Sequence, residues 1–283
     1  MTAAHYFVIA PQGMLGQTLM SVLAERGCHV SAGSRPELDI TRPTTLEAGI
    51  PTSCTAVFNC SAYTQVDDAE SHQEEAQRIN GTGVGHLAEL CRQRGIPLVH
   101  YSTDYVFAGD ANTPYPTDTA HSPVNAYGRS KAAGEKAIWD SQCEHLLVRT
   151  SWLYAPFGNN FVRTMARLSE QRPNLTVVND QRGRPTSCEY LARQSLALLE
   201  QGARGTFHVT DGGECTWFEF TQEIVRRLSR NCDVQPCGSD AFPRPAPRPA
   251  YSVLDLSRTE ALLGPSRHWH DNLQHVLDNL APL

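Results

Sequence analysis

The chain has 283 residues, 40% hydrophobic and 19% charged, with a formal net charge of −6, so it has an ordinary globular composition and no basic surface for nucleic acid. No apolar stretch is long enough to cross a bilayer, and the first ten residues lack the cationic start and long apolar run of a signal peptide, so no membrane contact is expected. The nine cysteines include no Cys-x-x-Cys pair, and we therefore expect reduced thiols, no metal site and a cytoplasmic location.

The first half of the chain alternates between short apolar runs, typical of buried strands, and amphipathic stretches, typical of helices. Strands are predicted at HYFVIA (5–10), HVSAG (29–33), TAVFNCSA (55–62), PLVHYSTDYVF (97–107) and HLLVRTSWLY (145–154), and helices over 14–26, 74–95 and 126–141. This alternation predicts an α/β fold with a Rossmann-type, doubly wound parallel sheet covered by helices on both faces. Ligands of such sheets bind at the carboxyl ends of the strands, near the switch point of the strand order.

The second half is less regular. Strands are predicted at NLTVVND (174–180) and GTFHVTD (205–211), and helices over about 189–200 and 217–230. The segment PRPAPRPAYS (243–252) is rich in proline and arginine, and is either a free linker or an ordered loop. A helical pattern that includes Trp269, Leu273 and Val276 follows it, so we favour an ordered loop within a small substrate-covering domain.

The first predicted strand runs into a glycine turn, residues 11–16, which contains Gly13 and Gly16 and precedes the first helix. Glycines at such a turn let the backbone approach the pyrophosphate of a dinucleotide, whose charge is favoured at a helix N-terminus. A G-x-x-G-x-x-G pattern would also place glycine at position 10, where this chain has Ala10. The conformation of the turn at Ala10 stays open, because a Cβ restricts the backbone angles.

The second predicted strand ends at Gly33-Ser34-Arg35, without the carboxylate that usually binds the adenosine ribose hydroxyls. Arg35 either binds a 2′-phosphate, which would indicate NADP(H), or is a solvated surface side chain. Asp39 either reaches the edge of the adenine or caps a turn before Thr41.

Tyr127 and Lys131 lie four residues apart on a predicted helix and therefore share one face. A free tyrosine has a pKa of about 10, too high for ready proton exchange at neutral pH. A nearby ammonium, together with the positive ring of an oxidised nicotinamide, is expected to lower the pKa of Tyr127. The lysine would also hold the nicotinamide ribose. Taken alone, such a pair is more often an exposed structural pair on a helix, and its context at the strand ends favours the catalytic interpretation.

Two further strand ends carry polar side chains toward the same sheet edge. Thr103 ends the fourth predicted strand, where it either donates a hydrogen bond to a substrate carbonyl or is an ordinary β-branched strand residue. Residues 59–64 end the third strand, where small side chains would let a nicotinamide lie close, unless they simply form a turn. With the Tyr127/Lys131 helix, these strand ends would converge on one cleft.

A series of motifs along essentially the whole chain resembles the dTDP-4-dehydrorhamnose reductase family, within the extended short-chain dehydrogenase/reductases. Besides the region around Asn80, they are LDIT (38–41), VFNCSAYTQVDDAE (57–70), HYSTDYVFAG (100–109), PVNAYGRSKAAGE (123–135), VRTSWLYAPFGNNF (148–161), VVNDQRGRPTS (177–187) and RPAYSVLD (248–255). This family is indicated far more specifically by three motifs in this order, YSTDYVF, YGRSK and RTSWLY, than by the glycine turn. The main departure from the family pattern is Ala10.

The resemblance implies the roles of individual residues. The implied catalytic residues are Thr103, Tyr127 and Lys131. Contacts to NADPH, or to NADH, are expected from Gly13, Met14, Leu15, Gly16, Arg35, Asp39, Ile40, Ala62, Tyr63, Thr64, Tyr101, Tyr127 and Lys131. The sugar substrate is expected to contact Thr103, Asp104 and Trp152. Arg244 or Arg248 would reach the substrate diphosphate, unless both belong to a solvated loop.

The resemblance also implies a domain division and an activity. Residues 1–155, with a returning segment at about 185–212, would form a dinucleotide-binding domain, and 156–283, mainly 156–184 and 213–283, a smaller α/β substrate domain. The implied reaction is NAD(P)H-dependent reduction of the C4 ketone of dTDP-4-dehydro-6-deoxy-L-mannose to dTDP-L-rhamnose. Some members of the family are magnesium-bridged dimers, so a homodimer is compatible with the resemblance, but no compact carboxylate cluster predicts Mg²⁺ here.

Two alternative functions stay open. One is reduction of another nucleotide-linked 4-keto sugar in the same cleft. The other is a regulatory, NADP-binding subunit similar to the β subunit of methionine adenosyltransferase, which the intact Tyr127/Lys131 pair argues against and Ala10 leaves open.

Overall fold

A computed structural model describes residues 4–282. Within them the strands are β1 (His5–Ile9), β2 (His29–Gly33), β3 (Ala56–Asn59), β4 (Leu98–Thr103), β5 (His145–Thr150), β6 (Leu153–Tyr154), β7 (Asn174–Val178), β8 (Arg182–Gly183), β9 (Thr186–Ser187), β10 (Gly205–His208), β11 (Cys215–Thr216) and β12 (Asp233–Cys237). The α-helices are α1 (Met14–Glu25), α2 (Pro43–Gly49), α3 (Gln73–Gln77), α4 (Val84–Arg94), α5 (Ala126–Ser141), α6 (Phe161–Gln171), α7 (Cys188–Glu200), α8 (Trp217–Arg227), α9 (Ser257–Leu263) and α10 (Trp269–Asp278).

Six parallel strands form the central sheet, in the order β2-β1-β3-β4-β5-β10. The strand order reverses direction between β1 and β3, so the two halves of the sheet separate at their carboxyl ends and leave a crevice there. The predicted doubly wound parallel sheet is therefore confirmed, and β10 is the strand that extends it at the far edge.

Buried side chains form one apolar layer on each face of the sheet. On one face, α1 and α7 pack through residues such as Leu19 and Leu191; on the other, α2, α4 and α5 pack through Leu46, Leu87 and Ile138. The inner strands β1, β3, β4 and β5 are buried on both sides, which is why they are mainly apolar and do not alternate. A separate cluster, which includes Tyr154, Phe220 and Trp269, joins α6, α8 and α10. The proposed division into two domains stays a prediction.

Several predicted elements have different bounds in the structure. The predicted strand 145–154 is broken at Trp152, whose φ of 49° lies in the left-handed region, and β6 then pairs with β9 instead of extending the sheet. The fourth predicted strand, expected to run into a loop within 97–107, ends at Thr103, and a 3₁₀ turn, Asp104–Val106, follows at once. The predicted helix 74–95 is interrupted by a π-helical stretch, Arg78–Gly83. Helices α2 and α6 and strand β12 were not predicted.

The proline-rich segment 243–252 is an ordered loop packed against the connections around α5. The backbone N–H of Ala246 donates to Asp67 Oδ1 (3.3 Å), and Asn125 Nδ2 donates to the carbonyl of Pro247 (2.9 Å). The free-linker interpretation of this segment is therefore wrong. None of the helices in residues 4–282 has both the length and the apolar character of a membrane span.

Candidate active site

A cleft of about 750 Å³ opens at the carboxyl ends of the central strands, beside the switch point between β1 and β3. Its wall contains most of the residues that the sequence singled out, namely Gly13, Met14, Leu15, Arg35, Asp39, Ile40, Ala62, Thr64, Tyr101, Thr103, Asp104, Tyr127, Lys131 and Trp152. Gly16 and Tyr63 lie outside that wall. The structure therefore brings together the glycine turn, three strand ends and the Tyr127/Lys131 helix, as expected.

The glycine turn keeps its tight conformation although Ala10 replaces glycine. Ala10 adopts a φ of 59°, and its N–H donates to the carbonyl of Gly33 (2.9 Å). A Cβ on Gly16 would lie 2.2 Å from the Ala10 carbonyl oxygen, so Gly16 is required for the close packing of α1 against the turn, although it does not line the cleft. Helix α1 starts at the cleft, and its N-cap Gly13 supplies no side-chain hydrogen bond to the first turn. This arrangement fits a pyrophosphate at the helix N-terminus.

The part of the cleft beyond the carboxyl end of β2 carries Arg35 and Asp39. Arg35 is exposed at the mouth, beside Ser34, whose hydroxyl accepts a hydrogen bond from Gln12 Nε2 (2.5 Å). Asp39 Oδ1 accepts hydrogen bonds from the backbone N–H (2.9 Å) and the hydroxyl (2.8 Å) of Thr41. Burial opposes the ionisation of Asp39, but these hydrogen bonds lower its pKa overall. The Asp39 carboxylate thus caps the turn before Thr41 while it lines the cleft.

Helix α5 is fixed at its N-terminus, which places Tyr127 beside the end of β4. Asn125 caps the helix by accepting a hydrogen bond from Gly128 N (2.8 Å). A Cβ on Gly128 would lie 2.2 Å from the carbonyl oxygen of Tyr105, so the first turn of the helix packs directly on the loop after Thr103. The Tyr105 and Tyr127 rings meet edge to face, with their centroids 5.7 Å apart.

The pKa of Tyr127 does not follow the sequence-based expectation. Burial, and then the Asp104 carboxylate, raise the pKa of Tyr127 above its ordinary value, and the Thr103 hydroxyl only partly offsets this. Lys131 Nζ donates to the carbonyl of Tyr101 (2.6 Å) and not to the Tyr127 hydroxyl. The prediction of a lowered pKa for Tyr127 is therefore wrong for the protein without a bound cofactor. Tyr127 keeps its proton, which suits a proton donor.

Lys131 lies in a buried polar region behind the cleft. Burial lowers the pKa of Lys131 to about 8, and the neighbouring Glu135 acts in the opposite direction. Glu135 is fully buried and ion-paired with Arg149 (2.7 Å), and it also accepts hydrogen bonds from His121 and Ser102. The Lys131 ammonium thus has no carboxylate ligand of its own, because Glu135 is already neutralised by Arg149.

Asp104 is buried at the cleft wall with one oxygen free. Its Oδ1 accepts a hydrogen bond from the Thr103 hydroxyl (2.9 Å), whereas Oδ2 has no hydrogen-bond partner within residues 4–282. Burial raises the pKa of Asp104 to about 6, although the nearby Ser252 hydroxyl and the Thr103 hydroxyl act in the opposite direction. A buried acceptor without a partner is costly, so a ligand hydroxyl in the cleft would satisfy it.

Trp152 forms an aromatic part of the cleft wall. Its indole stacks on that of Trp217, with ring centroids 3.5 Å apart and an interplanar angle of 11°. Behind it, a Cβ on Gly183 would lie 2.7 Å from the Trp152 ring. The left-handed backbone at Trp152 and these two neighbours fix the orientation of the ring.

Two supporting residues were missed by the sequence analysis, and the Tyr63 prediction needs correction. Asn80 accepts a hydrogen bond from Tyr63 N (2.8 Å) and donates to Ser130 Oγ (2.9 Å), so it ties the loop after β3 to α5. His100 lies beside Lys131 Nζ (3.3 Å). The Tyr63 hydroxyl donates to Asp68 and does not line the cleft. Local patterns could not show the contacts of Asn80 and His100, because these join distant parts of the chain.

The two arginines of the proline-rich loop contact a carboxylate. Arg248 is ion-paired with Asp67 at 3.0 Å, and Arg244 lies 3.9 Å from the same side chain. Neither arginine lines the cleft. Their role toward a diphosphate stays a prediction. Among the described residues, no group of three or more His, Cys, Asp or Glu side chains is placed to hold a metal ion.

Comparison with known proteins places the chain among nucleotide-sugar reductases. The family described as the RmlD substrate binding domain matches residues 6–281. The chain is 42% identical over 270 residues to a dTDP-4-keto-6-deoxy-D-glucose reductase from Streptomyces niveus, which covers 94% of this chain and 93% of that protein. It is 41% identical to a dTDP-4-dehydrorhamnose reductase from Streptomyces griseus, over 94% and 90% of the two chains. The crystal structure of the Bacillus anthracis dTDP-4-dehydrorhamnose reductase in complex with NADP has a TM-score of 0.94 and 33% identity, covering 98% of this chain and 99% of that one.

Proposed function

The chain belongs to the RmlD family of dTDP-4-dehydrorhamnose reductases, and from this membership we propose that it uses NADPH to reduce the C4 ketone of dTDP-4-dehydro-6-deoxy-L-mannose to dTDP-L-rhamnose. The observation that supports this most directly is the convergence of Thr103, Asp104, Tyr127 and Lys131 at the end of a cleft whose other end carries a glycine turn.

The cleft fits a dinucleotide along its length. The N-terminus of α1, with Gly13, Met14 and Leu15, would hold the pyrophosphate, since its backbone N–H groups favour an anion. Arg35 at the mouth would bind the 2′-phosphate of NADP, which accounts for the missing carboxylate at the end of β2. Ala62, Thr64 and Tyr101 would line the nicotinamide half. When bound, the reduced nicotinamide supplies the hydride that the carbonyl carbon receives.

Tyr127 and Thr103 would act on the carbonyl oxygen. As negative charge grows on this oxygen, the Thr103 hydroxyl stabilises it and the Tyr127 phenol donates a proton. The raised pKa of Tyr127, caused by burial, keeps the phenol protonated until that charge develops. Lys131 would hold the nicotinamide ribose and later favour the phenolate that remains on Tyr127.

Asp104 and Trp152 would orient the sugar. The free Oδ2 of Asp104 accepts a hydrogen bond from a sugar hydroxyl, and the fixed indole of Trp152 packs against the apolar face of the 6-deoxy ring. These contacts would decide which face of the ketone meets the nicotinamide, and with it the configuration of the product.

A direct assay tests the proposed function. NADPH absorbance is followed with freshly prepared dTDP-4-dehydro-6-deoxy-L-mannose, and the configuration of the product at C4 is determined by NMR. We expect NADPH oxidation and dTDP-L-rhamnose as the product. No oxidation of NADPH or NADH with this substrate would contradict the proposal.

A second 4-keto sugar is the main alternative, because the Streptomyces niveus relative is named for dTDP-4-keto-6-deoxy-D-glucose. The same assay with that sugar separates the two candidate substrates, since the preferred substrate has the higher kcat/KM.

A cytoplasmic location and a homodimer stay predictions. Size-exclusion chromatography with light scattering would test the homodimer.

A further inference from the structure

A buried row of three polar side chains lies directly behind the cleft, one from each of β3, β4 and α5. Asn59, His100 and Lys131 have exposed fractions of 1%, 0% and 2%. Asn59 Nδ2 lies 3.1 Å from His100 Nδ1, and His100 Nε2 lies 3.3 Å from Lys131 Nζ. The imidazole therefore joins the asparagine amide to the lysine amine without access to water.

The backbone fixes the orientation of the amide at one end of this row. Asn59 Oδ1 accepts hydrogen bonds from the backbone N–H of Ser61 (3.1 Å) and from its hydroxyl (2.6 Å). A flipped amide would place the Asn59 NH₂ against the Ser61 N–H, two donors facing each other. The NH₂ of Asn59 must therefore point at His100 Nδ1.

This orientation decides the tautomer of His100. Since Asn59 donates to Nδ1, that nitrogen must be the acceptor, and a neutral imidazole then carries its hydrogen on Nε2. Burial and the neighbouring Lys131 keep the pKa of His100 well below its ordinary value, so the ring is neutral. The Nε2–H therefore points at Lys131 Nζ. An amine can accept this hydrogen bond with its lone pair, whereas an ammonium has no lone pair to offer.

We propose that His100 is a positioning residue for Lys131: held by Asn59 in the tautomer that carries its hydrogen on Nε2, it directs an N–H at Nζ and thereby favours the neutral amine of Lys131. The effect on catalysis rests on the proposed function, but the protonation of Lys131 is a property of the protein alone. In the proposed reaction the Lys131 ammonium transfers a proton to the Tyr127 phenolate after hydride transfer, and the neutral amine then takes up another proton from water at the cleft, whose wall it lines.

The other charged and titratable groups around Lys131 do not reverse this effect. On its own helix, Glu135 favours the ammonium, but that carboxylate is ion-paired with Arg149 from β5 and hydrogen-bonded to His121 from the preceding loop. Tyr127 keeps its proton, as described above. From β4, Tyr101 contributes a carbonyl oxygen at 2.6 Å, which accepts a hydrogen bond from either form of the lysine.

The tautomer is tested first, in the unmodified protein. Long-range ¹H–¹⁵N spectra of the ¹⁵N-histidine-labelled chain distinguish an Nε2–H from an Nδ1–H imidazole and from the imidazolium, and loss of a signal in His100→Gln assigns His100. We expect the neutral Nε2–H form at pH 7. Either the Nδ1–H form or the imidazolium would overturn the proposal, whether or not the protein reduces a keto sugar.

The effect on the lysine can be measured directly, because the chain contains only two lysines, Lys131 and the exposed Lys136. ¹³Cε-lysine labelling therefore gives two resonances, which Lys136→Arg assigns. Asn59→Asp offers His100 an acceptor, so the imidazole hydrogen should move to Nδ1. The Lys131 titration midpoint should then rise by about one pH unit or more, with the added carboxylate contributing. The Lys136 resonance should titrate identically in both proteins.

A matched control is Ser61→Ala, which removes the hydroxyl but keeps the backbone N–H that orients Asn59. It should leave both the His100 tautomer and the Lys131 midpoint unchanged. In Asn59→Asp, an imidazole hydrogen that stays on Nε2, or a Lys131 midpoint that does not rise after the hydrogen has moved, would overturn the proposal.

Discussion

Thr103 Oγ1 donates a hydrogen bond of 2.9 Å to Asp104 Oδ1, the carboxylate of the next residue in the chain. Both side chains are buried at the cleft wall, and Oδ2 of Asp104 is without a partner among the described residues. In the proposed reaction the Thr103 hydroxyl must turn from this carboxylate to the substrate carbonyl. A sugar hydroxyl that donates to Asp104 would replace the hydrogen bond that the Thr103 hydroxyl gives up. Substrate binding and activation of the carbonyl are therefore coupled through Thr103 and Asp104.

This coupling predicts an acidic limb in the pH profile. Burial raises the pKa of Asp104 from 3.8 to about 6, so the carboxylate becomes protonated as the pH falls through about 6. The protonated form is a poorer acceptor, and kcat/KM should therefore decrease below that pH. Asp104→Asn should abolish this limb and lower kcat/KM at pH 8 by roughly 10- to 100-fold, since a charge-assisted hydrogen bond is lost. A limb that persists unchanged in Asp104→Asn would assign it to another group.

Tyr127→Phe should lower kcat by roughly 10²- to 10⁴-fold, because the proton donor is lost while the packing of the ring is kept. The affinity for NADPH, measured by fluorescence titration, should stay within a few-fold of the unchanged protein. Near-normal turnover in a folded Tyr127→Phe protein would remove Tyr127 from the role of proton donor.

Arg35→Ala should weaken NADPH binding by roughly 10- to 100-fold, because a charge-assisted contact with the 2′-phosphate would be lost. NADH lacks that phosphate, so its affinity should hardly change, and it serves as the internal control. The ratio of the two dissociation constants is the measured quantity. Equal losses for both cofactors would refute the 2′-phosphate contact.

The buried Glu135–Arg149 pair should contribute strongly to stability. Removing one member of a buried pair costs about 3–5 kcal/mol, so Glu135→Gln should lower the free energy of unfolding at pH 7 by that order. The matched control is Lys136→Ala, which breaks an exposed pair with Asp140 on the same helix and should cost less than about 1 kcal/mol. Urea denaturation measures both. Equal losses of unfolding free energy in Glu135→Gln and Lys136→Ala would contradict a strong contribution of the buried pair to stability.

The contribution of the Glu135–Arg149 pair to stability depends on pH. Burial by itself raises the pKa of Glu135, but hydrogen bonds from His121, Arg149 and Ser102 lower it overall, from 4.5 to about 2. The stabilisation is therefore fully present above about pH 4.5 and is lost as the pH falls toward 2. The difference between the unchanged protein and Glu135→Gln should accordingly shrink from pH 7 to pH 3. A difference that stays constant would show that the charge of Glu135 is not its cause.

The sequence predicted what local patterns determine, and not what long-range packing determines. Helix α5 has the bounds that were expected, because Asn125 supplies its cap and its apolar spacing is regular. The meeting of Thr103 and Tyr127 followed from the rule that parallel strands end at one sheet edge. The strand break at Trp152 was not predictable, since the contacts with Trp217 and Gly183 that accompany it come from distant segments. The direction of the Tyr127 pKa was missed for the same reason, because the burial of the phenol and its proximity to the Asp104 carboxylate depend on tertiary packing.

Ala10 offers a direct measure of strain at the cofactor end. Its φ of 59° costs an L-residue about 1–2 kcal/mol, whereas glycine adopts this conformation freely but loses about 0.5–1 kcal/mol through its more flexible unfolded chain. Ala10→Gly should therefore raise the free energy of unfolding by up to about 1 kcal/mol, and it should leave NADPH affinity the same or higher. Gly16→Ala is the contrasting variant. Its Cβ would lie 2.2 Å from the Ala10 carbonyl oxygen and must displace the turn. A Cβ at Gly13 would lie 3.7 Å from the same oxygen and fits without displacement, so Gly13→Ala serves as a control. Urea denaturation should show Gly16→Ala to be less stable than both Ala10→Gly and Gly13→Ala. A loss of stability in Ala10→Gly would mean that the turn at Ala10 is not strained.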